Sequence, residues 1–404
     1  MHNKWDKLWI NANIATMQSK TPYGLLANAA LAVKDGKIAW LGKTSELTGA
    51  PHQLAHEVSD VQGKCITPGF IDCHTHVVYA GDRCHEYAMR LNGASYEAIA
   101  QAGGGIRATV MATRNASFDA LLEQSLKRVR SLMQSGVTTL EIKSGYGLDA
   151  ETELKMLRVA KKIADILPIR IITTFLGAHT VPVEYHGHAD AYIDLVCNDM
   201  LPTIVQEKLA DHVDVFCETI GFTLAQTEKV FKAAQQYGLG IKCHAEQLSN
   251  SGSARLAARY QALSVDHLEH LSEDGVKALA ESGTVAVLLP GAFYFLKETH
   301  KPPIALLREY GVPMAISSDC NPGTSPITSM LLILNMACTL FGLTPEEALL
   351  GVSRHAAQAL GLGPAHGHIA VGNPADIAVW DVYHPEALVY YVGMDLLVER
   401  WIAA

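Results

Sequence analysis

Basic charge is in short supply in this chain. Its 404 residues carry 32 Lys and Arg against 41 Asp and Glu, a formal net charge of −9. A nucleic-acid partner would require a basic face, and this balance argues against one. An anionic substrate would have to find its cations locally. Cysteine is sparse too. The eight residues, at 65, 73, 84, 197, 217, 243, 320 and 338, include no CxxC pair. Neither a zinc ribbon nor a dithiol redox motif is indicated, and the low density suits a reducing compartment. Long apolar runs are also missing. Residues 1–17 hold no continuous apolar segment of the secretory kind. The longest apolar stretch, Met330 to Leu343, is interrupted by Asn335 and Thr339 and is too short to span a bilayer. A cytoplasmic protein with no membrane partner is expected. No internal repeat, low-complexity tract or charge block occurs.

What is present is globular: 49% of residues are hydrophobic and 18% charged. Short β-rich runs recur at Ile66–Cys73, Val137–Ile142, Ile169–Phe175, Val213–Cys217, Gly240–Cys243, Ser264–Asp266, Thr284–Leu289 and Met314–Ser317. Most are continuously apolar, as parallel strands buried on both faces are. Helical patterns fill the gaps. The clearest is Glu151–Leu167, with Asp149 as its N-cap and Pro168 as its stop. Further helices are expected at Phe118–Ser135, Leu224–Tyr237, Ser253–Tyr260, Glu273–Ser282 and Ile327–Phe341. Eight strand–helix units in succession predict an α/β chain built as a closed (β/α)8 barrel of the TIM type. The ends differ. Residues 1–65 are strand-like, with a hairpin signal at Lys34–Lys37, and strand character returns in Gly367–Val371, Ile377–Asp381 and Leu388–Val392. The expected organisation is a barrel over 66–365 and a small composite β-sandwich from 1–65 and 366–404.

Polar residues fall at the ends of the expected strands: His74 and His76, Lys143 and Tyr146, His179, Glu218, His244, His267 and Asp319, in strand order. The C-terminal face of such a barrel gathers the strand ends into one cavity. His74 and His76 alternate on a strand, so both rings can face the mouth. With His244 and Asp319 they make a three-His, one-carboxylate set that suits zinc or iron. His267 is a candidate base or oxyanion partner, or a histidine that orients a ligand. Arg83 either clamps a substrate carboxylate or pairs with Asp82 or Glu86. Gly103–Gly105 lacks the context of a phosphate loop. Asn321–Thr324 leads into the last barrel helix, where backbone N–H groups can receive an anion.

Two stretches resemble the amidohydrolase superfamily: Pro68-Gly69-Phe70-Ile71-Asp72-Cys73-His74-Thr75-His76, and Gly372-Asn373-Pro374-Ala375-Asp376-Ile377. Within it, Ala80–Arg83, Gly103–Val110, Glu141–Leu148, Phe175–His179, Val265–Glu269 and Ser318–Thr324 resemble the imidazolonepropionase family, and the likeness covers nearly the whole chain. The Lys-Ser-Gly-Tyr-Gly-Leu and Asp-Cys-Asn-Pro-Gly-Thr stretches are the specific ones. The resemblance implies hydrolysis of 4-imidazolone-5-propanoate to N-formimidoyl-L-glutamate, a step of histidine degradation. It implies one Zn2+ or Fe3+ per subunit on His74, His76, His244 and Asp319, and a homodimer fits the family. It also implies substrate contacts from Arg83, Tyr96, Tyr146 and His179, and product contacts from Asn321, Gly323 and Thr324. Gln247 departs from the pattern, since some relatives carry a Glu there as general base. Gln cannot take a proton, so it can only orient substrate or water, and base duty passes to His267 or Asp319. Lys143 is expected as a cation at the pocket wall. The alternatives are another cyclic amidohydrolase or a nucleobase deaminase, and a catalytically silent scaffold. A broken ligand set would mark the silent member; all four positions are filled here.

Overall fold

Pro68 and Gly69 end one sheet and begin another. The computed structural model describes residues 4–18, 21–94 and 104–403. Tyr96 and Gly103, singled out above, lie outside the described residues. Five strands come first: β1 (Trp5–Ala15), β2 (Leu25–Lys34), β3 (Lys37–Lys43), β4 (Ala55–Asp60) and β5 (Cys65–Pro68). Eight follow: β6 (Phe70–Asp72), β7 (Val137–Lys143), β8 (Arg170–Ala178), β9 (His212–Cys217), β10 (Gly240–Ala245), β11 (Ser264–His267), β12 (Val285–Leu288) and β13 (Met314–Ile316). The chain closes with β14 (Ile377–Trp380) and β15 (Leu397–Trp401).

The eight central strands form one sheet in sequence order, each parallel to the next. Its two ends meet through the parallel bridge between Thr75 and Cys320 and the bond from Asp319 N–H to the His74 carbonyl, 3.0 Å. That closes the ring on the side where the strands end, giving the expected (β/α)8 barrel. The strands are buried over most of their length because helices cover their outer face. The helix Ala150–Ile166 is capped as expected, Asp149 accepting from Thr152 N–H at 2.7 Å.

The seven remaining strands make a second sheet in the order β15-β14-β5-β1-β2-β3, with β4 beside β1. The β2–β3 hairpin turns at Asp35 and Gly36, both with positive φ, as a tight two-residue hairpin requires. Trp380 locks this sheet to the barrel. Its ring lies 4.9 Å from that of Phe70, and its Nε1 donates to Thr67 Oγ1.

Three expectations change. The run Ile66–Cys73 is two strands in different sheets, β5 and β6, because Gly69 turns the chain where a Cβ would overlap Thr138. Leu388–Val392 is no strand. Ala387–Tyr390 is a helical turn that packs on the helix Met330–Phe341, with Asn335 Nδ2 donating to the Val389 carbonyl, and the sheet's last strand is Leu397–Trp401. Gly367–Val371 forms no strand either; Ile369 alone ties it to the segment after β1, its N–H donating to the Thr16 carbonyl and its carbonyl accepting from Gln18 Nε2. Among the described residues, no helix is long and apolar enough to cross a membrane.

Candidate active site and metal centre

His74 and His76 emerge from β6, His244 lies in β10 and His267 ends β11. Their rings come together at the closed end of the barrel. Centroids lie 4.5 Å apart for His74 and His244, 5.2 Å for His74 and His76, and 5.5 Å for His244 and His267. All four are buried. The Nε2 atoms of His74 and His76 are 3.3 Å apart, and Asp319 Oδ1 is 3.5 Å from each. Nε2 of His244 is buried and meets no hydrogen-bond partner. His74, His76 and His244 can each turn one nitrogen to a common point. An orphaned buried imidazole nitrogen facing two others and a carboxylate is costly without an occupant, and a metal ion fits it.

The far side of these rings is equally specific. His74 Nδ1 lies 2.6 Å from Asp266 Oδ2. His244 Nδ1 lies 3.0 Å from Asp214 Oδ2, off the line a straight hydrogen bond needs. Carboxylates so placed select the tautomer that leaves Nε2 free as a ligand. Asp72 anchors the two residues that lead into Asp319. Its carboxylate accepts from Ser317 Oγ, from Ser318 Oγ at 2.5 Å and from Ser318 N–H at 2.9 Å, while Ser317 Oγ accepts from His74 N–H. The first and last barrel strands are thus laced together just below His74 and Asp319. Burial pushes the Asp319 carboxyl up to about 7 and the Asp72 carboxyl up to about 6. Burial also holds His74, His76 and His267 well below the usual imidazole range, which keeps them neutral. His267 and Asp319 both have positive φ, backbone strain concentrated at the cavity.

Lys143 is not at the pocket wall. It is wholly buried beneath the histidines, 2.8 Å from Asp214 and 3.0 Å from Glu141. Burial opposes its charge, but Asp214, Glu141 and Asp266 outweigh that and push its pKa up. Tyr146 and His179 do reach the cavity. The Tyr146 and His76 rings are 5.9 Å apart, and His179 stacks on His76 at 5.5 Å. The loop carrying Tyr146 is organised by Glu153, whose buried carboxylate accepts from the N–H groups of Gly145, Gly147 and Leu148. His179 Nδ1 donates to the Gly145 carbonyl at 2.9 Å, and burial takes its pKa down to about 4. A side chain at 145 would press on both His179 and the Leu176 carbonyl.

Arg83 pairs with Glu86: Nε donates to Oε2 at 2.8 Å and Nη2 donates to Oε1. Its Nη1 lies against Gly323, where a Cβ would overlap it. The ion pair and the position at the mouth are therefore both present. One edge of the guanidinium is taken, and Nη1 is turned toward the Asn321–Thr324 turn. That turn is self-contained. Asn321 Oδ1 accepts from the N–H groups of Gly323 and Thr324 at 2.8 Å each, and its Nδ2 donates to the Asp319 carbonyl and Thr324 Oγ1. Those two N–H groups are committed within the turn, and the next helix begins only at Met330, so no helix N-terminus faces an anion there. Gln247 is half-buried on the loop after β10. Glu218 pins that loop, accepting from Leu248 N–H at 2.8 Å and Ser249 Oγ at 2.7 Å. Sequence reasoning missed Asp214 and the positions of Glu141 and Glu153. An acid in the middle of an apolar strand, as in His-Val-Asp-Val-Phe-Cys, was the available signal for Asp214.

The amidohydrolase family model matches residues 65–399. The chain is 58% identical over 403 residues to imidazolonepropionase of Shewanella denitrificans, covering 98% of this chain and 97% of that one. It is 57% identical to imidazolonepropionase of Colwellia psychrerythraea, covering 97% and 95%. Among solved structures it is similar in fold to a triazine hydrolase from Arthrobacter aurescens, with TM-score 0.76, 16% identity and 99% and 94% coverage. It is similar as well to a zinc-bound adenosine deaminase from Xanthomonas campestris, with TM-score 0.69, 17% identity and 99% and 92% coverage.

Proposed function

The chain belongs to the amidohydrolase family and, within it, to the imidazolonepropionases, and from that premise we propose that it hydrolyses 4-imidazolone-5-propanoate to N-formimidoyl-L-glutamate. The observation that carries the reading is the convergence of His74, His76 and His244 with Asp319 at the barrel mouth, 3.5 Å from two of the three imidazoles. We assign one Zn2+ or Fe3+ per subunit to these four residues. Such an ion lowers the pKa of bound water to about 7 and polarises a carbonyl oxygen.

The chain's own residues do the rest. Asp319 takes a proton at its carboxylate from the attacking water and returns it to the ring nitrogen as the C–N bond breaks. His267, neutral and beside His244, donates to the developing oxyanion. Arg83 receives the propanoate through Nη1, with Glu86 fixing the guanidinium from the other edge. Tyr146 and His179 line the ring's place, with His179 offering Nε2 because Nδ1 is engaged. Gln247 orients substrate, and Asn321, Gly323 and Thr324 shape the wall against which Arg83 lies. Tyr96 is kept as a substrate contact on the resemblance alone.

The test is direct. Metal-replete protein is incubated with fresh 4-imidazolone-5-propanoate, the loss of imidazolone absorbance is followed and the product is weighed by mass spectrometry, beside a chelated control. Formimidoylglutamate appearing only with metal is expected. No turnover by metal-loaded protein would move the substrate to another cyclic amide or amidine.

A further inference from the structure

Beneath the histidines lies a closed set of charges with no access to solvent. Lys143 and Lys242 stand among Glu141, Asp214 and Asp266, and all five side chains are wholly or almost wholly buried. Lys143 Nζ is the hub, 2.8 Å from Asp214, 3.0 Å from Glu141 and 3.8 Å from Asp266. Two of those three acids are the ones that stand beside Nδ1 of His244 and His74, at 3.0 and 2.6 Å. Glu141 is itself fixed, accepting from Thr174 Oγ1 at 2.5 Å. Asp266 accepts from Ser264 Oγ at 2.7 Å, which in turn accepts from Lys242 Nζ. Two ammonium groups among three carboxylates leave one negative charge in excess, to face the cation above. Without Lys143 the two aspartates would repel each other and swing away from the rings they orient.

We propose that Lys143 is a positioning residue for the metal centre, its ammonium tying Asp214 and Asp266 together so that His74 and His244 present Nε2 to the same ion. The inference rests on the metal reading given above and concerns how tightly the ion is held, a quantity independent of the substrate. Lysine is suited to this place because three carboxylates at different heights need a point charge with three donors rather than a planar fork. The hydrogen-bonding shell behind metal ligands is worth about 10–100-fold in metal affinity.

The experiment measures Zn2+ affinity by chelator competition on the full chain, together with melting of stripped and loaded protein. Lys143→Met leaves buried carboxylates unpaired and risks misfolding, so Lys143→Met/Glu141→Gln is made alongside it, removing one charge of each sign. Expected is a stripped double variant that melts close to the stripped wild type, yet binds Zn2+ about 10–100-fold more weakly and gains less from loading. Affinity within twofold of wild type in a folded variant would overturn the proposal. Equal loss of stripped and loaded melting temperature, with affinity kept, would overturn it too by making the lysine merely structural. A wild type that binds no Zn2+ or Fe3+ at all would defeat the metal reading itself.

Discussion

Asp266 Oδ2 lies 2.6 Å from Nδ1 of His74, with neither side chain exposed to solvent. The pair fixes which nitrogen of His74 faces the cavity. Asp266→Asn keeps the shape and removes the charge. Zn2+ affinity in chelator competition is expected to fall about 10–100-fold with the fold intact. An unchanged affinity would mean that packing alone orients the ring.

Asp319→Asn retains an oxygen near His74 and His76 but cannot carry a proton. The variant should fold and keep most of its metal, while kcat falls about 100-fold or more. Metal content is measured on the same sample as turnover, so loss of the ion is separated from loss of the proton shuttle. Near-normal kcat would sink the shuttle role.

Gly323→Ala tests the place of Arg83 without touching its charge. A methyl group at 323 would overlap Nη1, so the guanidinium must move. KM is expected to rise about tenfold with kcat changed far less, and Arg83→Ala should raise KM about 10–100-fold, the worth of a charged hydrogen bond. If the two variants leave KM alone, the propanoate is held elsewhere.

Glu246 gives a pH signature. It is buried after β10, Oε2 has no partner, and burial pushes its carboxyl up to about 7. The fold therefore prefers the protonated acid. Its contribution is full below the unfolded value of 4.5 and is lost as pH rises through about 7. Glu246→Gln should gain on the wild type over that window and level off above it, by on the order of 2 kcal/mol. Denaturant unfolding of stripped protein at low and high pH checks it; a gap that narrows as pH rises would contradict the assignment.

Much of this was legible beforehand. The eight barrel strands could be read because parallel strands are apolar on both faces, and the mouth residues because they follow those runs. Strand order gathered nine polar residues at the strand ends, and the resemblance singled out His74, His76, His244 and Asp319 among them. What failed did so for physical reasons. The run Ile66–Cys73 is apolar in two different sheets, and composition does not say which neighbour a strand will choose. Leu388–Val392 is β-branched and aromatic in part, yet its packing on the helix Met330–Phe341 makes it helical. Lys143 was misplaced because its partners, Asp214 and Asp266, sit on other strands, and a charge surrounded by distant acids looks in sequence like any other lysine.

The strand order of the second sheet has a consequence for biosynthesis. β5 sits between β1 and β14, and the bond from Trp380 to Thr67 joins residues 313 apart. The barrel can close on the ribosome while β5 still offers an open edge. Only when residues 377–380 emerge does β14 cover it, long after β5 itself has been made. Until then the nascent chain exposes one open edge of an apolar strand, the kind of edge that invites pairing with a neighbour. Refolding in which the β5–β14 pairing forms after the barrel is the expected kinetic signature of that separation along the chain.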